Sequence, residues 1–183
     1  DLDCLRISII HPSVSGKLSL SIRKSHRKLR FTEEEILFDQ YINKSALNFL
    51  KYAIEARSNI MISGLPGAGK TELLKFLTQY IGDKQRVITI EDSYELHYKS
   101  LHPQRDVVMM KTNRYLDYRQ AIKASLRQRV DWILLSEVRG DEVVDLVNSV
   151  STGTHLISTI HAQSARQIPE RLSALLPSEY EGL

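Results

Sequence analysis

The sequence has a single cysteine, no apolar run of membrane-spanning length and little excess of either charge. Because Cys4 stands alone, the sequence excludes a disulfide framework and a paired-cysteine metal site, and a reducing, cytosolic setting fits. No apolar stretch approaches the ~20 residues of a membrane span, and no signal peptide is visible. The net charge is +3 over 183 residues, of which 42% are hydrophobic. These values indicate one globular domain, or one domain with a small appendage.

Positive charge is nevertheless concentrated in residues 23–30. The basic side chains there are Arg23, Lys24, His26, Arg27, Lys28 and Arg30. Such a cluster is typical of a patch that binds nucleic acid or lipid headgroups. Such a cluster also occurs in solvated linkers and at edges that contact a polyphosphate. We favour these two explanations over a nucleic-acid or lipid patch.

A complete phosphate-binding motif occupies residues 64–71, which read G-L-P-G-A-G-K-T and fit G-x-x-x-x-G-K-[ST] at every fixed position. The apolar run 59–63 precedes it as a predicted strand, and residues 72–81 follow with helical spacing. Strand, glycine loop and helix together predict a nucleoside triphosphate site. The predicted nucleotide contacts are Gly64, Pro66, Gly67, Ala68, Gly69, Lys70, Thr71 and Glu72.

The glycines, Lys70 and Thr71 of this motif each have a physical role. Glycines let backbone N–H groups curl around phosphates without steric clash, and the helix N-terminus adds partial positive charge. Lys70 is expected to reach the β- and γ-phosphates, and the Thr71 hydroxyl to bind Mg²⁺. The sequence therefore predicts ATP and Mg²⁺ as ligands.

Strand and helix patterns alternate from residue 59 onward. The predicted strands are 59–63, 86–90, 132–136 and 156–160, and the predicted helices are 45–57, 72–81, 118–129 and 141–150. This alternation predicts an α/β fold with a mostly parallel sheet. Ligands bind such sheets at the carboxyl ends of the strands.

The first thirty residues have a different pattern. Residues 5–10 and 17–23 predict two strands joined by a turn at 11–16. Two strands are too few to be stable alone, and the chain begins without Met. We therefore expect a chain cut inside an amino-terminal domain.

Two carboxylates come at the ends of predicted strands. Glu91 follows the strand 86–90, and Glu137 follows 132–136. A nucleotide hydrolase needs such an acid to organise Mg²⁺ or to orient water, although a helix cap or a surface ion pair would place one there too. His161 follows the strand 156–160, where it is either a structural histidine or a sensor of the γ-phosphate.

Four motifs in this order resemble the secretion ATPases of type II and type IV systems, which include conjugation and tight-adherence pilus motors. The phosphate loop matches the family's Walker A motif, and residues 89–96 resemble its aspartate box. Residues 126–142 are similar to its atypical Walker B motif, which uses Glu, and residues 152–162 resemble its histidine box. The resemblance extends from about residue 5 to about residue 175.

The resemblance implies a RecA-like P-loop core that hydrolyses ATP with Mg²⁺. Glu91 would help polarise the attacking water, Glu137 would act on the Mg²⁺ and water side, and His161 would contact the γ-phosphate region. Arg6 and Arg23 match arginines that reach the phosphates from the family's amino-terminal domain.

The resemblance also implies an organisation. Residues 1–30 would end a PAS-like amino-terminal domain, 31–44 would form a linker with a short helix, and 45–183 would be a RecA-like domain truncated at its carboxyl end. Partners would be identical subunits in a hexameric ring and an inner-membrane platform or secretion-channel protein, with no specific nucleic acid. The setting would be cytoplasmic, peripheral at the inner face of the membrane.

Two departures from the family pattern stand out. Thr154 occupies the place of a usual histidine, and His155 follows one residue later. Because neighbouring strand residues point to opposite faces, His155 is not expected to substitute. The four-cysteine motif of the type II branch is absent, which favours the type IV and tight-adherence branches. A nucleic-acid-stimulated RecA-like motor and a non-hydrolysing nucleotide-binding scaffold remain as alternatives.

Overall fold

The computed structural model describes residues 4–177. Its strands are β1 (Leu5–Ile10), β2 (Ser19–Lys24), β3 (Ile60–Ser63), β4 (Val87–Glu91), β5 (Val107–Lys111), β6 (Trp132–Val138) and β7 (His155–Ile160). Its helices are α1 (Pro12–Ser15), α2 (Glu33–Phe38), α3 (Lys44–Glu55), α4 (Lys70–Leu77), α5 (Tyr98–Leu101), α6 (Tyr118–Ser125), α7 (Glu142–Ser151) and α8 (Ile168–Ser173). Single 3₁₀ turns occupy Thr78–Tyr80 and Ala165–Gln167.

The strands form two separate sheets. β3 to β7 make a five-stranded sheet in the order β3-β7-β6-β4-β5, in which every neighbouring pair is parallel. The predicted α/β fold with a parallel sheet is confirmed. β1 and β2 pair antiparallel as a hairpin. Because all five strands run the same way, their carboxyl ends meet along one edge, where the phosphate loop also lies.

The large sheet is buried on both faces. Along β6, Trp132 and Leu134 belong to one apolar cluster, and Ile133 and Leu135 belong to the other. The first cluster includes side chains of α3 and α4, and the second includes side chains of α6 and α7. Burial on both faces explains why these strands are continuous apolar runs rather than alternating ones.

Several element boundaries differ from the sequence-based prediction. β5 was not predicted, and the turn at 11–16 contains the single helical turn α1. α6 ends at Ser125, short of the predicted 129, and Arg129 adopts a left-handed conformation with φ of 52°. β6 continues through Glu137 to Val138, with a register shift against β7 between Leu135 and Val138. Glu137 is therefore the second-last residue of β6, whereas the sequence placed it after the strand.

The connector, residues 25–32 between β2 and α2, is held by hydrogen bonds near each of its ends. A capping box opens α2, because the Thr32 hydroxyl accepts from the Glu35 amide at 3.2 Å and the Glu35 carboxylate accepts from the Thr32 amide at 2.7 Å. The wholly buried Lys75 ammonium on α4 donates to the His26 carbonyl at 2.6 Å. The connector is therefore fastened directly to the helix that follows the phosphate loop. Within residues 4–177, no helix has both the length and the apolar character needed to cross a membrane.

Candidate nucleotide-binding site

The phosphate loop joins β3 to α4 and depends on its glycines. Gly67 and Gly69 have φ of 79° and 88°, in the left-handed region that residues with a Cβ rarely adopt. A Cβ on Gly64 would lie 3.2 Å from that of Ala68, and one on Gly69 would lie 3.0 Å from the Tyr41 hydroxyl oxygen. The loop backbone thus requires small residues at these places.

Lys70, the first residue of α4, points back over the loop. Its ammonium donates to the carbonyls of Gly64 at 2.8 Å and Leu65 at 3.1 Å, and it lies 3.3 Å from His161 Nδ1. Burial lowers the pKa of Lys70, and the nearby charge of Glu137 opposes that shift. A cation is therefore held directly beside the loop and its helix N-terminus.

A cavity of about 390 Å³ opens at this edge of the sheet. The residues predicted from sequence that line it are Arg6, Arg23, Pro66, Gly67, Gly69, Lys70, Thr71, Glu72, Glu137 and His161. Further lining side chains include Lys24, His26, Arg30, Asp92, Glu95 and Arg139. The cavity thus collects basic and hydroxyl groups around the loop, which suits a polyphosphate. Gly64 and Ala68 belong to the loop but do not line the cavity.

Glu137 and His161 meet in this cavity, although 24 residues of chain separate them. His161 Nε2 lies 2.8 Å from Glu137 Oε1. The second carboxylate oxygen, Oε2, lies 2.6 Å from Arg139 Nη2 and accepts from Arg139 Nε at 2.8 Å. The hydrogen bond to Glu137 is the main reason that the pKa of Arg139 is raised. The parallel neighbours β6 and β7 bring the two predicted side chains together.

The hairpin contributes its arginines to the same cavity. Arg6 and Arg23 lie directly opposite each other on β1 and β2, an arrangement in which like charges repel. Glu95 offsets the repulsion, because its Oε1 lies 3.5 Å from Arg6 Nη1 and 3.8 Å from Arg23 Nη1. Arg6 Nη2 also donates to Asp92 Oδ2 at 3.4 Å. Both arginines therefore face the phosphate loop from outside the large sheet.

Glu91 is in a different environment from the other predicted residues. It is fully buried at the end of β4 and does not line the cavity. Its Oε2 accepts from the backbone amides of Glu95 at 2.8 Å and Leu96 at 2.9 Å. Burial is the largest effect on this carboxyl and raises its pKa to about 7, although the two amide hydrogen bonds act in the opposite direction. Glu91 thus holds the loop that follows β4.

The altered part of the histidine box, Thr154 and His155, lies at the end of β7 that is farther from the cavity. His155 begins that strand, pairs with Trp132, and has its ring centroid 5.3 Å from the Trp132 ring. His161 follows the other end of the strand, roughly 20 Å from His155 at the usual rise per residue. Neither Thr154 nor His155 lines the cavity. His155 therefore packs against the amino end of the sheet.

Sequence reasoning missed three side chains of this site. Arg139, Asp92 and Glu95 line the cavity and form ion pairs across it. All three lie within the segments that resemble the aspartate box and the Walker B motif. Each of the three carries a charge and follows Glu91 or Glu137 closely in sequence, and that proximity was the available signal for a place in the site.

Comparisons with known proteins identify the family of this chain. Residues 4–181 match the family model described as "Type II/IV secretion system protein". The chain belongs to this secretion ATPase family. The type IV secretion system protein VirB11 of Bartonella quintana is 35% identical over 164 residues, covering 84% of this chain and 45% of that protein.

Solved structures of family members show the same fold. The VirB11 ATPase of the Brucella suis type IV secretion system, in complex with sulphate, has a TM-score of 0.67 and 29% identity over 93% of this chain and 57% of its own. The pilus retraction motor PilT with bound ADP has a TM-score of 0.72 at 21% identity, over 96% of this chain and 49% of its own. The RecA-like P-loop fold is thereby confirmed. This family member spans about half the length of the curated relatives that it matches.

Proposed function

We propose that this chain binds ATP with Mg²⁺ and forms the hydrolysing part of a motor subunit that powers a secretion, conjugation or pilus system. One observation carries the proposal. Lys70 and Thr71 of the phosphate loop line one cavity with Glu137, His161 and the hairpin arginines. The reaction is ATP and water to ADP and phosphate.

Each group has a proposed role in that reaction. Lys70 and the loop amides hold the phosphates, and His161, paired with Glu137, contacts the γ-phosphate region. Arg6 and Arg23 complete the phosphate contacts from the hairpin, because a guanidinium meets phosphate oxygens bidentately. Glu91 remains a candidate for polarising the attacking water. Its burial means that the loop after β4 would have to open for direct contact.

The donor groups in the cavity fit Mg²⁺. No cluster of three or more His, Cys, Asp or Glu side chains that would hold a metal occurs in residues 4–177. Mg²⁺ is usually held by one or two protein oxygens together with substrate phosphates, and the Thr71 hydroxyl and the Glu137 carboxylate supply such oxygens here. When bound, Mg²⁺ neutralises charge that develops on the transferred phosphoryl group.

The domain organisation is also a proposal. We propose that residues 1–30 end a PAS-like amino-terminal domain, that 31–44 form a linker and that 45–183 form the ATPase domain. The outer face of the hairpin supports this division, because Ile7, Ile9, Leu20 and Ile22 pair across the strands and are 47 to 65% exposed. Such an apolar face suits further packing by the rest of an amino-terminal domain.

Family membership supports a proposal for the setting. We propose hexameric rings of the full-length protein, in the cytoplasm at the inner face of the membrane, with an inner-membrane platform or channel protein as partner. The basic cluster supports a nucleotide role rather than a nucleic-acid role, because Arg23, Lys24, His26 and Arg30 face the phosphate-loop cavity.

Phosphate release by the full-length protein tests this function. We expect turnover that requires Mg²⁺, is abolished by Lys70→Ala, and does not change on addition of DNA or RNA. Strong stimulation by nucleic acid would favour the RecA-like nucleic-acid motor instead. Tight ATP binding without turnover in the assembled oligomer would favour the non-hydrolysing scaffold.

A further inference from the structure

Both carboxylate oxygens of Glu137 already have protein partners. Oε1 lies 2.8 Å from His161 Nε2, and Oε2 is held by Nη2 and Nε of Arg139 at 2.6 and 2.8 Å. The Glu137 side chain is only 12% exposed. The guanidinium on Oε2 competes with any cation for the charge and the lone pairs of that oxygen, so Arg139 weakens the attraction of Glu137 for Mg²⁺ while it stays there.

Arg139 is the partner best placed to leave, because a second carboxylate lies within its reach. Its Nη1 donates to Asp92 Oδ2 at 3.1 Å, while its other two nitrogens face Glu137. The Arg139 side chain is 46% exposed, so a rotation toward Asp92 keeps it paired without crossing a packed core. The second ring nitrogen of His161, in contrast, faces the Lys70 ammonium at 3.3 Å.

Asp92 is shared with the hairpin. The same Oδ2 atom that accepts from Arg139 accepts from Arg6 Nη2 at 3.4 Å. A triphosphate carries more negative charge than a single carboxylate and binds arginine bidentately. A bound triphosphate would therefore draw Arg6 away from Asp92 and leave that oxygen to Arg139.

We propose that Arg139 is a positioning residue that holds Glu137 in the nucleotide-free chain and passes to Asp92 when a nucleoside triphosphate engages Arg6. Glu137 then becomes available to Mg²⁺. The exchange connects the hairpin to the Walker B carboxylate through one shared oxygen atom. The inference rests on the proposed function, because it requires ATP and Mg²⁺ in this cavity.

The test measures binding rather than turnover. The dissociation constant of a fluorescent non-hydrolysable ATP analogue is measured for the 183-residue chain in EDTA and in excess Mg²⁺. The Mg²⁺ effect is the dissociation constant in EDTA divided by the dissociation constant in Mg²⁺, so a larger value means that Mg²⁺ strengthens binding more. Arg139→Gln frees Glu137 and should raise the Mg²⁺ effect about three- to tenfold, the size expected when a half-exposed ion pair no longer competes.

Asp92→Asn should act in the opposite direction. Without the second carboxylate, Arg139 stays on Glu137, so the Mg²⁺ effect should fall about two- to threefold. The double variant should show the Mg²⁺ effect of Arg139→Gln, because the contact of Asp92 with Arg6 changes analogue binding equally in EDTA and in Mg²⁺ and cancels in the ratio. Arg166→Gln, which changes an exposed arginine outside the cavity, should match the wild type. If Arg139 and Asp92 were only structural, their substitutions would not change the Mg²⁺ effect in opposite directions.

Other results would overturn the inference. Arg139→Gln with an unchanged or smaller Mg²⁺ effect contradicts it, as does weaker analogue binding in EDTA, which would place Arg139 on the phosphates. If Arg139→Gln unfolds the chain, Arg139→Lys serves instead. Lysine keeps the charge but lacks the second arm, so the Mg²⁺ effect should still rise, by about twofold. A wild-type chain that does not bind the analogue at all would instead contradict the proposed function.

Discussion

Glu91 and Glu137 end neighbouring strands of one parallel sheet, yet they lie in opposite environments. Glu137 faces a charged cavity, where His161 and Arg139 contact its two oxygens. Glu91 is wholly buried, and its carboxylate accepts from two backbone amides of the loop after β4. One acid lines the candidate nucleotide cavity, and the other binds the protein's own backbone.

The difference shows what a strand end determines and what it leaves open. The carboxyl end of a parallel strand places a side chain at the ligand edge of the sheet. Whether the side chain meets solvent depends on the loop that follows. After β4 the loop folds back over Glu91, whereas Glu137 at the end of β6 stays open to the cavity. The first two predictions below test this contrast between Glu91 and Glu137, and the next two extend it to the hairpin and to the far end of β7, from the largest expected effect to the smallest.

Glu137→Gln should produce the largest change. The amide cannot bind Mg²⁺ or orient water as a carboxylate does, so ATP turnover by the full-length oligomer should fall at least ~100-fold, while ATP binding changes little. Phosphate release and analogue binding measure the two effects. Glu170→Gln, on the exposed side of α8, is the matched control. Equal turnover in both variants would remove Glu137 from the chemistry.

The stability of the chain should depend on pH through Glu91. Its pKa is raised from 4.5 to about 7 by burial, so between these values the folded chain binds a proton that the unfolded chain does not. The stabilisation is therefore fully present below pH 4.5 and is lost as pH rises through about 7. Urea unfolding at pH 5 and pH 8 should show the wild type losing about 2 kcal/mol relative to Glu91→Gln. Parallel pH dependences of the two proteins would contradict the buried state.

The hairpin arginines should have intermediate effects on binding. Arg6→Gln and Arg23→Gln each remove one partly exposed cation from the cavity, which should weaken binding of the ATP analogue about three- to tenfold. Arg27→Gln lies in the same basic cluster but outside the cavity lining and should change binding less. If all three variants weaken binding equally, only the general positive charge of the cluster matters.

His155→Gln should have the smallest effect. Its ring packs beside Trp132 at the amino end of β7, at the opposite end of the strand from the cavity. Turnover and ATP binding should therefore stay within about twofold of the wild type. A large loss of turnover would mean that His155 does perform the role of the usual family histidine, whose position Thr154 occupies here.

Much of the fold could be predicted because its strongest signals are local. The strand, glycine loop and helix around Lys70 follow from one motif, and continuous apolar runs predict strands buried on both faces. β5 escaped prediction because it is an edge strand, and its residues are half-buried or exposed rather than regularly alternating. After α6 ends at Ser125, the backbone continues as a turn in which the Arg127 and Gln128 amides donate to the carbonyls of Ala124 and Ser125, and Arg129 is left-handed. No local signal in the sequence indicates this change.

The site was predictable as a set of strand ends but not as a set of contacts. Chain order places Lys70, Glu137 and His161 at one edge, since parallel strands share their direction. The burial of Glu91 depends on how residues 92–96 fold back, and the pairing of Arg139 with both Glu137 and Asp92 depends on two loops meeting. Such contacts arise between segments far apart in sequence, so local patterns do not specify them.

The binding of ATP at Lys70 is the central claim, and one titration tests it directly. The fluorescent ATP analogue is titrated into the 183-residue chain, into Lys70→Ala, and into Lys84→Ala as a control at an exposed turn. We predict that Lys70→Ala weakens binding at least ~30-fold, because it removes a charge-assisted contact to the phosphates, and that Lys84→Ala binds like the wild type. Equal affinities in all three proteins would show that the phosphate loop does not bind the nucleotide.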